Sequence, residues 1–169
     1  MDQKKDDADL DREPGALETD AVAVRVLRPD DLDAMVRMDR LIIGRARREY
    51  LSRKLETALK ESMPVVSLAA EVDRTFAGFL MGTLYYGEFG VPEPVAILDT
   101  LAVDPEMQRR KVASALLRQF LANLSGLRIE RVETQVGWTQ VDLIGFFARA
   151  GFVPAPRLCL ELKVDATRV

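Results

Sequence analysis

The feature that most restricts the fold is a turn of two residues. Residues 65–72 and 76–86 both read as long apolar strands, and Asp73-Arg74 joins them. Strands joined that closely pair antiparallel, because a parallel partner needs a crossover of about a dozen residues. An all-parallel doubly wound sheet is therefore disfavoured. Around this hairpin the apolar period alternates between two and about 3.6. Val22, Val24 and Val26 alternate as a strand, and Pro29-Asp30-Asp31 stops it, with Asp30 placed to cap the first helix. Leu32, Met35, Val36 and Asp39 keep helical spacing, and a second helix is expected over 45–61 with Leu51, Leu55 and Leu59 on one stripe. Residues 95–103 form a third long strand, apolar apart from Asp99 and Thr100, of the kind buried on both faces. A helix over 109–124, a strand over 131–136, a short helix over 140–150 ended by Gly151, and strand segments at 152–153 and 158–164 complete the order. The expectation is an α/β (α+β) fold. Its central sheet is mixed and largely antiparallel, with six to seven strands and about four helices on both faces.

Composition narrows the chemistry. The chain has 169 residues, 48% of them hydrophobic, enough for one core and one domain. Residues 1–21 stand apart, with eight acids against Lys4, Lys5 and Arg12 and no aromatic residue. Such a segment cannot bury enough surface to offset its ordering entropy, so a flexible acidic leader is expected before a domain over 22–169. The net charge of −3 argues against a dedicated nucleic-acid binder. The chain has no histidine, which excludes a His general base, a Ser–His–Asp triad and His metal ligation. Its single cysteine, Cys159, excludes an internal disulfide and a cysteine zinc cluster, and alternation with Leu158 and Leu160 reads as a small packed side chain. No metal site is expected. No stretch approaches the ~18 apolar residues of a membrane span, and no signal-type segment is visible, so a cytoplasmic protein is expected.

The chemically informative stretch is 98–117, a buried strand, a sharp turn and the start of a helix. The first turn of a helix leaves up to four backbone N–H groups unpaired at the positive end of the macrodipole, where a phosphate or pyrophosphate can sit. Arg109, Arg110 and Lys111 crowd the same end. Cations there cost about 0.3–1 kcal/mol each, and an anionic ligand would reverse that cost. Three basic side chains splayed into solvent are the equally weighted alternative.

These residues resemble a known family. A strand, Val103-Asp104-Pro105-Glu106, then Gln108-Arg109-Arg110-Lys111-Val112-Ala113 opening a helix is similar to the acetyl-CoA-binding motif of the GNAT superfamily of N-acetyltransferases. Gln140 to Phe152 is similar in register to the family's later helix beside the cofactor, and 24–32 to its first strand and helix. The resemblance implies acetyl-CoA as donor, an amine as acceptor and, among the expected states, a homodimer. It implies that Leu101, Ala102 and Val103 hold the pantetheine arm. It places Gln108, Arg109, Arg110, Lys111, Val112, Ala113 and Ser114 at the pyrophosphate, and Gln140 and Phe147 beside the cofactor. Three departures stand out: Lys111 where the motif has glycine, Gln140 for asparagine, and Phe147 for a tyrosine that often protonates the departing thiolate.

Direct attack by an amine needs no metal, histidine or cysteine. A lysine-like amine of pKa ~10.4 must first lose its proton, at a cost of about 4.6 kcal/mol at pH 7. Asp99, mid-strand beside the cofactor segment, is the first candidate for the base, and a carboxylate merely paired with an Arg or a backbone N–H is nearly as good a reading. Glu71 and Glu133 are weaker candidates. Tyr85 and Tyr86 could contact the acceptor or simply pack, and Trp138 could line the cofactor groove or anchor a loop. Arg45, Arg47, Arg48, Arg53 and Lys54 make the second helix basic, either a solvated face or a wall favouring an acidic acceptor. The departures also motivate two non-catalytic readings: an acyl-CoA-sensing domain, or an interaction module with the same fold.

Overall fold

The structure is a computed structural model, and it describes residues 22–60, 64–86, 90 and 92–164. The expected leader over 1–21 lies outside them. The chain divides into two units at Thr134/Gln135.

The first unit holds the sheet. Its elements are β1 (Ala23–Val26), α1 (Leu32–Ile43), α2 (Arg48–Lys60), β2 (Leu68–Val72), β3 (Thr75–Tyr85), β4 (Val95–Val103), α3 (Val112–Gly126) and β5 (Val132–Glu133). The strands lie in chain order, antiparallel from β1 to β4, with β5 parallel to β4. The hairpin forms as expected. Asp73 and Arg74 take φ of 51° and 64°, the doubly left-handed turn whose twist suits a two-residue link.

The pleat sorts side chains onto two faces. Ala69, Phe79 and Met81 pack against Leu27, Met35, Met38, Leu51, Leu55 and Ala58, so α1 and α2 cover that face. On the other face glycines admit α3 closely: a Cβ on Gly78 would meet Val112 and Leu116, and one on Gly82 would fall 2.6 Å from the Phe120 ring. Two carboxylates fix the α1 approaches. Asp31, rather than Asp30, accepts the Arg28 N–H at 2.7 Å and both ends of the Arg25 guanidinium, while Arg25 also holds Glu71. Buried Asp39 accepts from the Arg47 backbone and guanidinium and ties the α1–α2 connection.

The second unit contains α4 (Val141–Arg149). Phe147 is buried there, edge-on to Phe146 and against Phe152.

The strand count corrects the expectation of six to seven: the described residues form five. Residues 152–153 and 158–164 join no ladder, and Leu158, Leu160, Leu162 and Val164 are 82–89% exposed. Their alternation suits a strand, but Pro154 and Pro156 remove donors just upstream and no described edge pairs with them. Cys159 is likewise exposed, not packed. The strand expected over 131–136 shrinks to Val132–Glu133.

Candidate active site

The site is organised by an irregularity in β4. Met81 pairs with Thr100 and Gly82 with Leu98, so Asp99 is the extra residue of a β-bulge. The bulge has two consequences. It turns the side chains of both Asp99 and Thr100 toward the α2 face. It also shifts the phase of the backbone. Before the bulge, the Ala96 N–H points to the β5 side and donates to the Arg131 carbonyl at 2.9 Å; after it, the Asp104 N–H points to β3 and donates to the Ala77 carbonyl at 2.9 Å. By two-residue alternation, Leu101 and Val103 then direct their N–H and C=O groups away from β3, and Ala102 directs its own toward it. Pairing with β5 ends at Ile97, so among the described residues no strand satisfies that edge of β4 beyond it. The edge is a ready partner for an amide-bearing chain.

The chain then passes a short turn, Pro105–Met107, capped by the Asp104 carboxylate on the Glu106 N–H at 2.9 Å. Arg109 and Lys111 both have left-handed backbone, with φ of 67° and 61°. Lys111 thus takes the conformation glycine favours in the motif it departs from, at a cost of about 1–2 kcal/mol. It also begins α3 with no side-chain cap, and the first bond across the turn is Ala115 N–H to Lys111 C=O at 2.9 Å. The N–H groups of Val112, Ala113 and Ser114 have no acceptor in the helix. Gln108, Arg109, Arg110 and Lys111 are exposed around them, and Arg110 comes within 3.9 Å of Asp73.

On the α2 face lies a cavity of about 420 Å³ lined by Tyr50, Arg53, Lys54, Thr57, Ala58, Met81, Thr83, Tyr85 and Asp99. Lys54 bonds Asp99 at 2.7 Å and Thr100 Oγ1 at 2.9 Å, and the Thr100 hydroxyl donates to Asp99 at 2.7 Å. Tyr50 is held under Arg47 and Lys54, 4.8 and 5.6 Å from its ring centre.

The other candidates are placed apart. Glu71 is engaged by Arg25, and Glu133 approaches Arg131 at 3.4 Å. Tyr86 is exposed outside the cavity lining, and Trp138 is 93% exposed. Gln140 and Phe147 belong to the second unit, where Gln140 accepts the Gly137 N–H at 2.9 Å. Sequence reasoning missed Tyr50, Thr57 and Thr83 as lining. The usable signal was a polar stripe, Tyr50, Lys54 and Thr57, running beside the apolar stripe of α2. No group of metal-ligating side chains occurs among the described residues, and no described helix is long and apolar enough to cross a membrane.

Comparison with known proteins agrees with the fold. The sequence model of the acetyltransferase (GNAT) family matches residues 35–152. No curated protein matches the chain in sequence. Among solved structures, it is similar to a ribosomal-protein-alanine N-acetyltransferase from Brucella melitensis biovar Abortus 2308, with 14% identity, 85% of this chain and 100% of that one covered, and a TM-score of 0.69. The aminoglycoside N-acetyltransferase AAC(6')-Iy in complex with CoA is 16% identical over 85% and 95% of the two chains, with a TM-score of 0.68. A transcriptional regulator from Bacillus halodurans C-125 is 18% identical over 85% and 100%, also at 0.68.

Proposed function

The chain belongs to the GNAT acetyltransferase family, and on that premise we propose that it moves an acetyl group from acetyl-CoA to a primary amine by direct attack. The observation that carries this reading is the bulge at Asp99. One residue of extra chain sets Leu101 and Val103 to face the edge of β4 that β5 leaves unpaired beyond Ile97, a place for a pantetheine arm, and turns a carboxylate into the cavity on the α2 face. The amides of Val112, Ala113 and Ser114, with Arg109, Arg110 and Lys111 around them, suit the pyrophosphate of the same donor. Gln108 and Ala102 belong to the same two segments.

In this reading the acceptor enters the cavity and Asp99 takes its proton, directly or through water, as the nitrogen forms its bond to the thioester carbon. A backbone N–H at the β4 edge polarises the carbonyl. The C–S bond breaks as CoA leaves as a thiolate, whose pKa of ~8.5 makes it a tolerable leaving group. Phe147 carries no acidic proton, so the thiolate takes its proton elsewhere, and the packing of Phe147 against Phe146 and Phe152 fits a structural ring.

Calorimetric titration of CoA into the full chain, paired with thiol release over a panel of amines, tests the proposal. Binding with turnover supports it. Binding without turnover favours an acyl-CoA-sensing domain, which the phenylalanine at 147 also fits, and no binding reduces the chain to an interaction module with this fold.

A further inference from the structure

The cations of α2 are not equivalent. Arg48 is paired with Asp33 at 2.7 Å, Lys54 with Asp99 at 2.7 Å, and Lys60 with Glu56 one turn earlier. Arg47, just before the helix, is paired with Asp39. Arg53 alone among the basic residues of α2 makes no ion pair with a described residue. It has Glu49 one turn back on its own helix, a spacing at which such pairs form, yet it lines the cavity instead. Because Lys54 neutralises Asp99, Arg53 leaves the described lining of the cavity with one uncompensated positive charge. Its remaining polar lining is neutral: the hydroxyls of Thr57, Thr83, Tyr50 and Tyr85.

We propose that this cavity takes a small primary amine that carries an anionic group on the same molecule, with the anion on Arg53 and the amine at the Asp99 end. This rests on the acetyl-transfer reading for which end of the acceptor is the nucleophile, but not for the charge it must carry. A guanidinium presents paired donors that match a carboxylate or a phosphate. Met81, Ala58 and the two tyrosines add apolar lining for the methylenes between the two ends. The volume suits a small metabolite. A polycation meets Arg53 and Lys54 in the same space and is disfavoured, so this pocket is not built for acceptors of the aminoglycoside or polyamine type.

The test uses the full chain with CoA present and matched probes: γ-aminobutyrate against putrescine, and O-phosphoethanolamine as the phosphate counterpart. Calorimetry reads binding, and thiol release from acetyl-CoA reads transfer. The expected result is that γ-aminobutyrate or O-phosphoethanolamine binds at least about tenfold more tightly than putrescine; which of the two is tighter identifies carboxylate or phosphate as the source of the charge. In Arg53→Gln that preference disappears through binding or KM, while affinity for CoA is unchanged. Putrescine binding as well as either anionic probe, or a preference that survives Arg53→Gln, overturns the inference even if acetyl transfer proceeds. An anionic preference that depends on Arg53 but comes without turnover upholds the inference and strikes only the acetyl-transfer reading.

Discussion

Two basic regions of this molecule look alike in sequence and differ in structure. Arg109-Arg110-Lys111 and the cations between Arg45 and Lys60 are both clusters of positive charge near helices. Those around α2 sit on or beside regular backbone, and carboxylates neutralise most of them: Asp39, Asp33, Asp99 and Glu56. Those before α3 sit on a strained, twice left-handed turn whose next amides lack helical acceptors. The first arrangement holds a wall in place. In the proposed function the second is where the amides and charge would meet the donor's pyrophosphate. On that reading, what separates the two clusters is the backbone beneath the charge and not the charge itself.

The comparison breaks most sharply at Ala113. Ala113→Asp puts a carboxylate among the free amides and should weaken CoA binding by about a hundredfold or more, measured by calorimetry, with melting temperature near that of the parent chain. Unchanged affinity would show that the turn is ordinary surface. Next in size is Asp99→Asn, which removes the carboxylate that Lys54 pairs. The rate should fall by about a hundredfold while CoA affinity holds, and a parental pH–rate profile would clear Asp99 of the proton-accepting role.

The pairs around α1 and α2 should move stability and not binding. Asp39→Asn should cost about 1–2 kcal/mol in denaturant unfolding, the value of a charge-assisted bond discounted for the partly exposed Arg47, and leave CoA affinity alone. Its pKa is lowered chiefly by the Arg47 hydrogen bonds. At Asp31, burial pushes the pKa up, and the bonds from Arg25 and the Arg28 N–H outweigh it, for a net lowering. A carboxylate depressed on folding contributes stability above its ordinary range near 3.8 and loses it as pH falls through the folded value. Stability should therefore be flat from neutral pH to about pH 5 and decline below it, with a shallower decline in Asp39→Asn. The smallest effect is expected for Lys111→Gly. Relief of the left-handed backbone should raise stability by about 1 kcal/mol or less, and loss of one exposed cation should weaken CoA binding only a few-fold.

Much of the framework was legible because it is local. The two-residue turn dictated an antiparallel hairpin, the apolar run over 95–103 has the bounds of β4, and the helix expected over 109–124 overlaps most of α3. What escaped depends on contacts between distant residues. The bulge at Asp99 is a matter of register with Met81 and Gly82, and nothing in residues 95–103 marks the extra residue. The Lys54–Asp99 pair joins residues 45 positions apart, so α2 read only as basic. At the other end, alternation at Leu158, Leu160 and Leu162 promised a strand, but alternation cannot say whether a free edge waits for it. The glycine position of the motif was legible as a departure. That Lys111 would adopt the glycine conformation was not, since αL backbone in lysine is set by its surroundings.

A crystal structure of the full chain with CoA bound would test the central claim most directly. We expect pyrophosphate oxygens within hydrogen-bond distance of the Val112–Ser114 amides, and pantetheine amides paired with Leu101 and Val103 beyond the bulge. A nucleotide bound elsewhere, or a pantetheine arm that ignores the open edge of β4, would contradict that claim.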